Sequence, residues 1–360
     1  MAYTTIDDPG IYFNTLLWSG DDTASRNLTG VGFQPDWIWG KARSRIGNHR
    51  LIDSVRGTTG SLYRVINADA TDAEQTTNND GTTAYGIVTT IGSDGFTIAD
   101  GNQGDLNVNN SGDTYVAWNW KAGTTSSISG GSITSAAVSI SATSGFGIYR
   151  YTGTGSNGTI AHGLGTAPKF IVTKNRDSGS YGWYVYHAGI GATKNLYLHN
   201  NDGEVTSSTR WNDTDPTSTL FTVSTNDGVN GSSANMIAYA FSEVKGYSKF
   251  GSYSGNGNTD GTFVYTGFKP AWVMVKRSDS AENWVIFDNK LRPANNVGNN
   301  FMYADISNAQ DTSTDFDMLS NGFKTRTASA IMNGSGASYI YLAFAESPFV
   351  NSNGIPNNAR

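Results

Sequence analysis

The 360-residue sequence contains no cysteine, which excludes a disulfide framework, a thiolate nucleophile and a cysteine zinc site, and leaves packing to supply stability. Charge is sparse too, with 24 Lys and Arg against 30 Asp and Glu, a formal net charge of −6. Phosphate backbones are gripped by clustered Lys and Arg; none occur here, so no nucleic-acid partner is expected. No apolar run is long enough to cross a bilayer, which argues against membrane insertion. The opening residues Met1 to Gly10 have neither a positive start nor an apolar stretch, so folding in the cytoplasm is expected. His49, His162, His187 and His199 never fall at metal-ligand spacing, and no nucleophile elbow is present. Two Gly-rich patches, Thr152–Gly155 and Ser254–Gly257, lack the helix and the Lys-Ser or Lys-Thr of a phosphate loop and read as turns. With no recognisable catalytic set, the chain is not expected to be an enzyme.

What is present is glycine, 43 residues of it, and large aromatics: 9 Trp, 18 Tyr and 16 Phe. Aromatic side chains bury enough apolar surface to offset the entropy of ordering, so disorder is a poor reading. Comparison of the chain with itself reveals three tandem copies of one pattern. The first signature runs from Gly32 through Pro35 and Trp37 to Lys41, and recurs as Gly165, Pro168, Phe170, Lys174 and as Gly267, Pro270, Trp272, Lys276. The second is His49–Asp53, Trp183–His187 and Trp284–Asp288, and the third is Tyr115–Lys121, Met236–Ser242 and Tyr339–Ala345, which carry Trp120, Phe241 and Phe344 at matching positions.

The order of these signatures divides the chain into a first unit at 1–123, a second at 146–246, a third at 247–350 and a tail at 351–360. Residues 124–145 form a Gly/Ser/Thr-rich linker or an exchanged strand, which sets the first unit apart; the second and third, joined directly, are expected to be more rigidly coupled. Segments such as Trp37–Lys41 and Tyr339–Phe344 are apolar on both faces, as strands between two packed layers must be. Turn signals at Asn79–Gly81, Asp94-Gly95, Asn201–Gly203, Asn226–Gly228, Asp260-Gly261 and Asn321-Gly322 punctuate the rest. The predicted fold class is therefore all-β, three tandem β-sandwich domains of jelly-roll-like character, each self-sufficient. Pro35, Trp37, Trp120, Pro168, Phe170, Phe241, Pro270, Trp272 and Phe344 are its expected core and strand-entry residues.

Few residues suggest chemistry. Lys41 with Asp53, and Lys276 with Asp288 at the same spacing, read as buried structural ion pairs rather than as catalytic pairs, with His187 replacing the acid in the second unit. The loops Asp100–Asp105 and Asp311–Asp317 carry oxygens that would suit Ca²⁺ but no EF-hand spacing, so no cofactor is assigned. Tyr181, Trp183, Trp211 and Tyr253 sit in polar, turn-rich surroundings that suit stacking on a sugar ring. Trp183 aligns with a core position, which leaves Trp211 as the candidate glycan contact, core burial being the competing reading.

The set Gly-Phe-x-Pro-x-Trp-Ile/Val, the segment Lys249–Gly257 and the ending Tyr339–Glu346 resemble a group of repeat-containing virion structural or tail-fibre-like proteins of tailed bacteriophages. The resemblance covers nearly the whole chain. It implies a non-enzymatic virion protein of the tail fibre or tail apparatus, folded in the host cytoplasm and assembled on the particle. The implied partners are other virion proteins, copies of itself and a host-surface glycan. A capsid decoration or head-fibre protein is the alternative, and a glycan-cleaving tailspike-type enzyme comes third. The first unit departs most from the pattern, with a longer insert between Asp53 and Tyr115 and with Trp120-Lys121 at its end.

Overall fold

The computed structural model describes residues 2–75, 87–101, 108–123, 127–291, 300–312 and 316–356. Nearly all regular structure in it is strand, in antiparallel sheets, with only two four-residue helices, Ser208–Trp211 and Asp227–Asn230, and a short 3-10 turn at Pro9–Ile11 among the described residues.

Each unit is built on a large sheet with one recurring strand order. In the first, Phe13–Ser19 pairs with Thr114–Trp120, then come Trp37–Ala42, Arg50–Asp53 and Ile66–Asn67. The third repeats it with Ser248–Ser254, Ser338–Pro348, Phe268–Arg277, Val285–Asp288 and Phe301–Tyr303. The second keeps the order in Phe146–Thr152, Asn235–Phe241, Phe170–Asn175, Trp183–His187 and Lys194–Tyr197, and adds Ser135–Ser141 at one edge and Val205–Thr206 at the other. The segment between the first two units thus ends in an edge strand of the second unit's sheet. A smaller sheet lies against each large one: Ser25–Thr29, Gly95–Ala99 and Ile87–Gly92 in the first unit, Gly158–Ala161 with Leu220–Val223 in the second, and Phe263–Tyr265, Gly322–Thr325 and Phe316–Leu319 in the third.

The signatures have local causes. Gly32, Gly165 and Gly267 all have φ between +78° and +86°, a conformation that strains any residue with a Cβ. Pro35 and Pro168 stand two residues ahead of their strands, where no ladder donor is needed, whereas Pro270 lies inside its strand at a bulge that tolerates the missing N–H. Ser93-Asp94 and Ser320-Asn321 form the two-residue turns of matching hairpins. The Asn226–Gly228 signal instead opens a helix, with the Asn226 side chain capping Gly228 N at 2.9 Å. Asn79–Gly81 lies outside the described residues.

Strand alternation then decides where each side chain goes. Ile38, Tyr115 and Ala117 point to the small sheet of their own unit, but Trp37, Trp39, Trp118 and Trp120 point the other way. The same division holds for Ile171 against Phe170 and Val172, and for Val273 and Val275 against Trp272 and Met274. The outward-turned sets of all three units meet in one common core. At its centre the equivalent residues Trp120, Phe241 and Phe344 touch one another, with ring centroids 6.4, 5.6 and 5.6 Å apart. The chain thus has a pseudo-three-fold axis through these rings. Each unit leaves one face of its large sheet to be covered by the other two, so none is the self-sufficient domain suggested by the sequence. Burying a large apolar side chain is worth about 1.5–3 kcal/mol, and here much of that return depends on all three units being present.

Candidate functional site

The polar residues of the signatures gather where the units meet, and equivalent positions line each of three seams, with substitutions at single seams. The buried lysines come first. Lys41 Nζ donates to Ala42 O (2.9 Å) and to Ser307 O of the third unit (3.1 Å). Lys174 donates to Asn175, Ser178 and Tyr181 carbonyls in its own unit and to Thr71 O of the first (2.9 Å). Lys276 donates to Arg277 O, to Glu282 O and to Asn201 O of the second unit (3.1 Å). Thr71, Asn201 and Ser307 are equivalent positions, so the three ammonium groups close a ring: first to third, third to second, second to first. Burial lowers the pKa of each lysine to about 8.

A second ring runs beside it. Trp183 Nε1 donates to Asn67 O and Trp284 Nε1 to Tyr197 O, both at 2.8 Å. His49 takes the third place, beside the backbone of Tyr303 and Ile306, and accepts from Trp39 Nε1 at 2.8 Å through Nδ1. Burial, then the nearby Lys41, holds the imidazole well below its ordinary pKa, so it is neutral with its proton on Nε2.

Asp53, His187 and Asp288 form a third ring. Each accepts a backbone N–H close behind it in the chain: Asp53 Oδ1 from Val55 (2.9 Å), His187 Nδ1 from Gly189 (2.9 Å) and Asp288 Oδ1 from Lys290 (2.7 Å). Their far atoms cross a seam. Tyr239 OH donates to Asp53 Oδ2 at 2.6 Å and Trp118 Nε1 to Asp288 Oδ2 at 2.9 Å. At the third seam the donor position is occupied by Leu342, and the residue facing it is His187, whose Nε2 meets Tyr341 O at 3.2 Å. Loss of the donor and replacement of the acid therefore go together, since a carboxylate against Leu342 would be buried without this partner. Burial raises the Asp53 carboxyl, but the Arg56 guanidinium and the Tyr239 hydroxyl more than offset it, so its net shift is downward. Asp288 lacks an arginine partner and is shifted upward by burial.

These contacts correct two expectations. Lys41 does not pair with Asp53, nor Lys276 with Asp288, because antiparallel register sets Asp53 opposite Trp37 and Asp288 opposite Trp272, at the far end of the strand from the lysine. Four residues of strand separate them, roughly 13 Å. The lysines bind carbonyls instead, and Asp53 binds Arg56. Nor does the first unit stand apart: its seam with the second carries one contact from each ring and an ion-pair cluster besides. Trp211 is also not a surface contact. It is 2% exposed and packs edge-on against Tyr186, with Phe221 and Val229 in the same core.

One buried residue escaped the sequence reading. Asn109, Asn230 and Asn333 stand six residues before Tyr115, Met236 and Tyr339, and tie down the loop that follows the first strand of each large sheet. Gly20, Gly153 and Gly255 allow it, because a Cβ there would lie 2.0–2.3 Å from backbone oxygen. This Gly stands 12 residues before the signature Gly of each unit, and the Asn six before the third signature, spacings that were readable in the sequence.

The seams also differ in their ion pairs. At the first–second seam Glu74 receives Arg56 (3.2 Å), Arg64 (3.3 Å) and both Nε and Nη2 of Arg176 (3.0 and 2.6 Å). A pocket of about 330 Å³ opens beside this cluster, lined by Arg64, Ala73, Glu74, Arg150, Arg176, Asp177 and Asn235. Among the described residues, no group of three or more His, Asp or Glu is placed to hold a metal ion; residues 102–107 and 313–315 of the two acidic loops lie outside them. No helix among the described residues is long and apolar enough to cross a membrane.

Architecture and seams together define an all-β protein whose antiparallel sheets close around one core. The chain belongs to the family described as Domain of unknown function (DUF7483), which matches residues 8–348. That span takes in all three units, in keeping with their common core. No curated protein matches the chain.

Proposed function

We propose that the protein is a non-enzymatic structural component of a bacteriophage virion, in which three tandem, jelly-roll-like β-sandwich units form a single-chain counterpart of a three-fold trimer. The observation that carries this reading is the use made of the side chains best suited to chemistry. Lys41, Lys174, Lys276, Asp53, His187 and Asp288 are buried and engaged in the contacts that lock one unit to the next. The resemblance of the repeat signatures to tail-fibre-like proteins supports placement in the tail fibre or tail apparatus, where loops at the sandwich ends reach the host surface. The implied location is the assembled particle, and the implied partners are other virion proteins.

A second reading has its own support. The pseudo-three-fold axis through Trp120, Phe241 and Phe344 matches a body seated on a three-fold position of a shell, as a capsid decoration or head-fibre protein would be. Antibody labelling of intact particles decides between the two. Label at the tail vertex supports the first, label spread over the shell supports the second, and absence of the protein from purified particles overturns both.

A further inference from the structure

The pocket at the first–second seam is the place where the pseudo-symmetry is broken most sharply. Its lining positions have counterparts at the other seams. Arg176 corresponds to Arg43 and Ser278, Arg64 to Asn300 and Lys194, Glu74 to Gln310 and Glu204, and Arg150 to Leu17 and Ser252. Among these described positions, only those of the first–second seam carry three arginines.

Arg150 is the unusual one. On the strand Phe146–Thr152, Phe146 and Ile148 point into the common core, and Arg150 follows them on the same face at the edge of that core. The residue is half-buried and lines the pocket, and its side chain has no partner among the described residues. Arg64 adds a second positive charge to the lining, its Nη1 held on Glu74 at 3.3 Å. The remaining groups are satisfied: Arg176 is bidentate on Glu74, and Asp177 accepts from Asn235 N at 2.7 Å and Nδ2 at 3.1 Å. Across the cluster four guanidinium groups, of Arg56, Arg64, Arg150 and Arg176, face three carboxylates, of Asp53, Glu74 and Asp177. One positive charge is left over, on a chain whose net charge is −6.

We infer that this pocket binds a small polar monocarboxylate of sugar-acid size, its carboxylate taken by Arg150 with help from Arg64. A guanidinium with free N–H groups presents the planar fork that matches a carboxylate. The volume sits at the lower end of ligand pockets, larger than a bare ion needs. Asp177, Asn235 and Glu74 supply acceptors and a donor suited to hydroxyl groups on the ligand's body. The inference goes beyond the virion reading and does not depend on where the protein resides.

Calorimetric titration of the full chain with sodium D-glucuronate, methyl β-D-glucoside and inorganic phosphate tests it. Expected are saturable binding of glucuronate that weakens with added salt, no binding of the neutral glucoside, and weaker binding of phosphate. Arg150→Gln should lower glucuronate affinity at least tenfold with an unchanged melting temperature, because this side chain holds nothing else in place. The inference is overturned if glucuronate gives no saturable heat, if the glucoside or phosphate binds as tightly, or if Arg150→Gln binds glucuronate like the parent. Particle labelling and this titration fail independently: the scaffold reading survives an empty pocket, and the pocket survives a negative label.

Discussion

Removing the hydroxyl of Tyr239 probes whether the three units hold together as one thermodynamic body. In Tyr239→Phe the ring keeps its place, stacked on Trp37 at 4.7 Å and tilted against Trp183 at 6.1 Å. What is lost is the 2.6 Å hydrogen bond to Asp53 Oδ2, a contact between the second unit and the first. Tyr239 is held neutral, burial raising its pKa well above the ordinary value, so the bond runs from an uncharged donor to a carboxylate. Such bonds contribute roughly 1.5–3 kcal/mol. If all 360 residues unfold together, an entropy of roughly 0.75 kcal/mol/K converts a 2 kcal/mol loss into a fall in Tm of about 3 °C. If the units unfold separately, the same loss on roughly 110 residues moves one transition by about 9 °C and leaves the others in place. Differential scanning calorimetry distinguishes these outcomes. A single transition lowered by a few degrees is expected; several transitions of which one moves would refute the shared-core account, and an unchanged Tm would refute the role given to the hydroxyl.

Two further perturbations test the seams. Lys276→Met strips the donor from Asn201 O, Arg277 O and Glu282 O, so a loss of roughly 2–4 kcal/mol in chemical denaturation is expected; a variant within 0.5 kcal/mol of the parent would show that those carbonyls are satisfied without it. Asp305 has Oδ1 on Trp284 N at 3.1 Å and Oδ2 buried without a partner among the described residues, and burial pushes its carboxyl up to about 7. Between the ordinary carboxylate range and about 7 the folded protein keeps a proton that the unfolded chain has released, so stability from this group falls as pH rises through that window. Asp305→Asn should remove that fall and be the more stable protein at pH 8 by roughly 1–3 kcal/mol, the lost attraction to Lys276 taking back part of the gain. Urea denaturation at pH 5 and pH 8 checks it, and an Asn variant less stable than the parent at pH 8 would contradict the assignment.

The repeat, the all-β class and the apolar strands were legible because they rest on side-chain type at fixed spacing. Trp37 and Ile38 had to face two layers, and they do. What lay on the far side of Trp37 was not legible: a strand apolar on both faces reads alike whether its second face meets its own unit or a neighbour. The misplaced Lys41–Asp53 pair has a related cause. Both residues recur at constant separation, which signals a common role but says nothing of register, and in an antiparallel pair the two ends of the repeat point away from each other. The lysines' partners across the seams, Thr71, Asn201 and Ser307, carry no shared side-chain mark because only their carbonyls are used. Trp211 was a glycan candidate because of the polarity of Arg210, Asn212 and Asp213 around it, and the competing reading, core burial, is the one the structure shows.

Closure of three units within one chain also changes how the body responds to dilution. An assembly of three separate subunits comes apart as concentration falls, because each contact surface must be won by encounter. Here the surfaces around Trp120, Phe241 and Phe344 are tethered at fixed effective concentration, and the ends of the chain are fastened as well, Asp7 accepting a hydrogen bond from Ser352 N at 2.6 Å. The three-fold body therefore has a stoichiometry of one and no dissociation constant of its own. It remains whole however few copies are present.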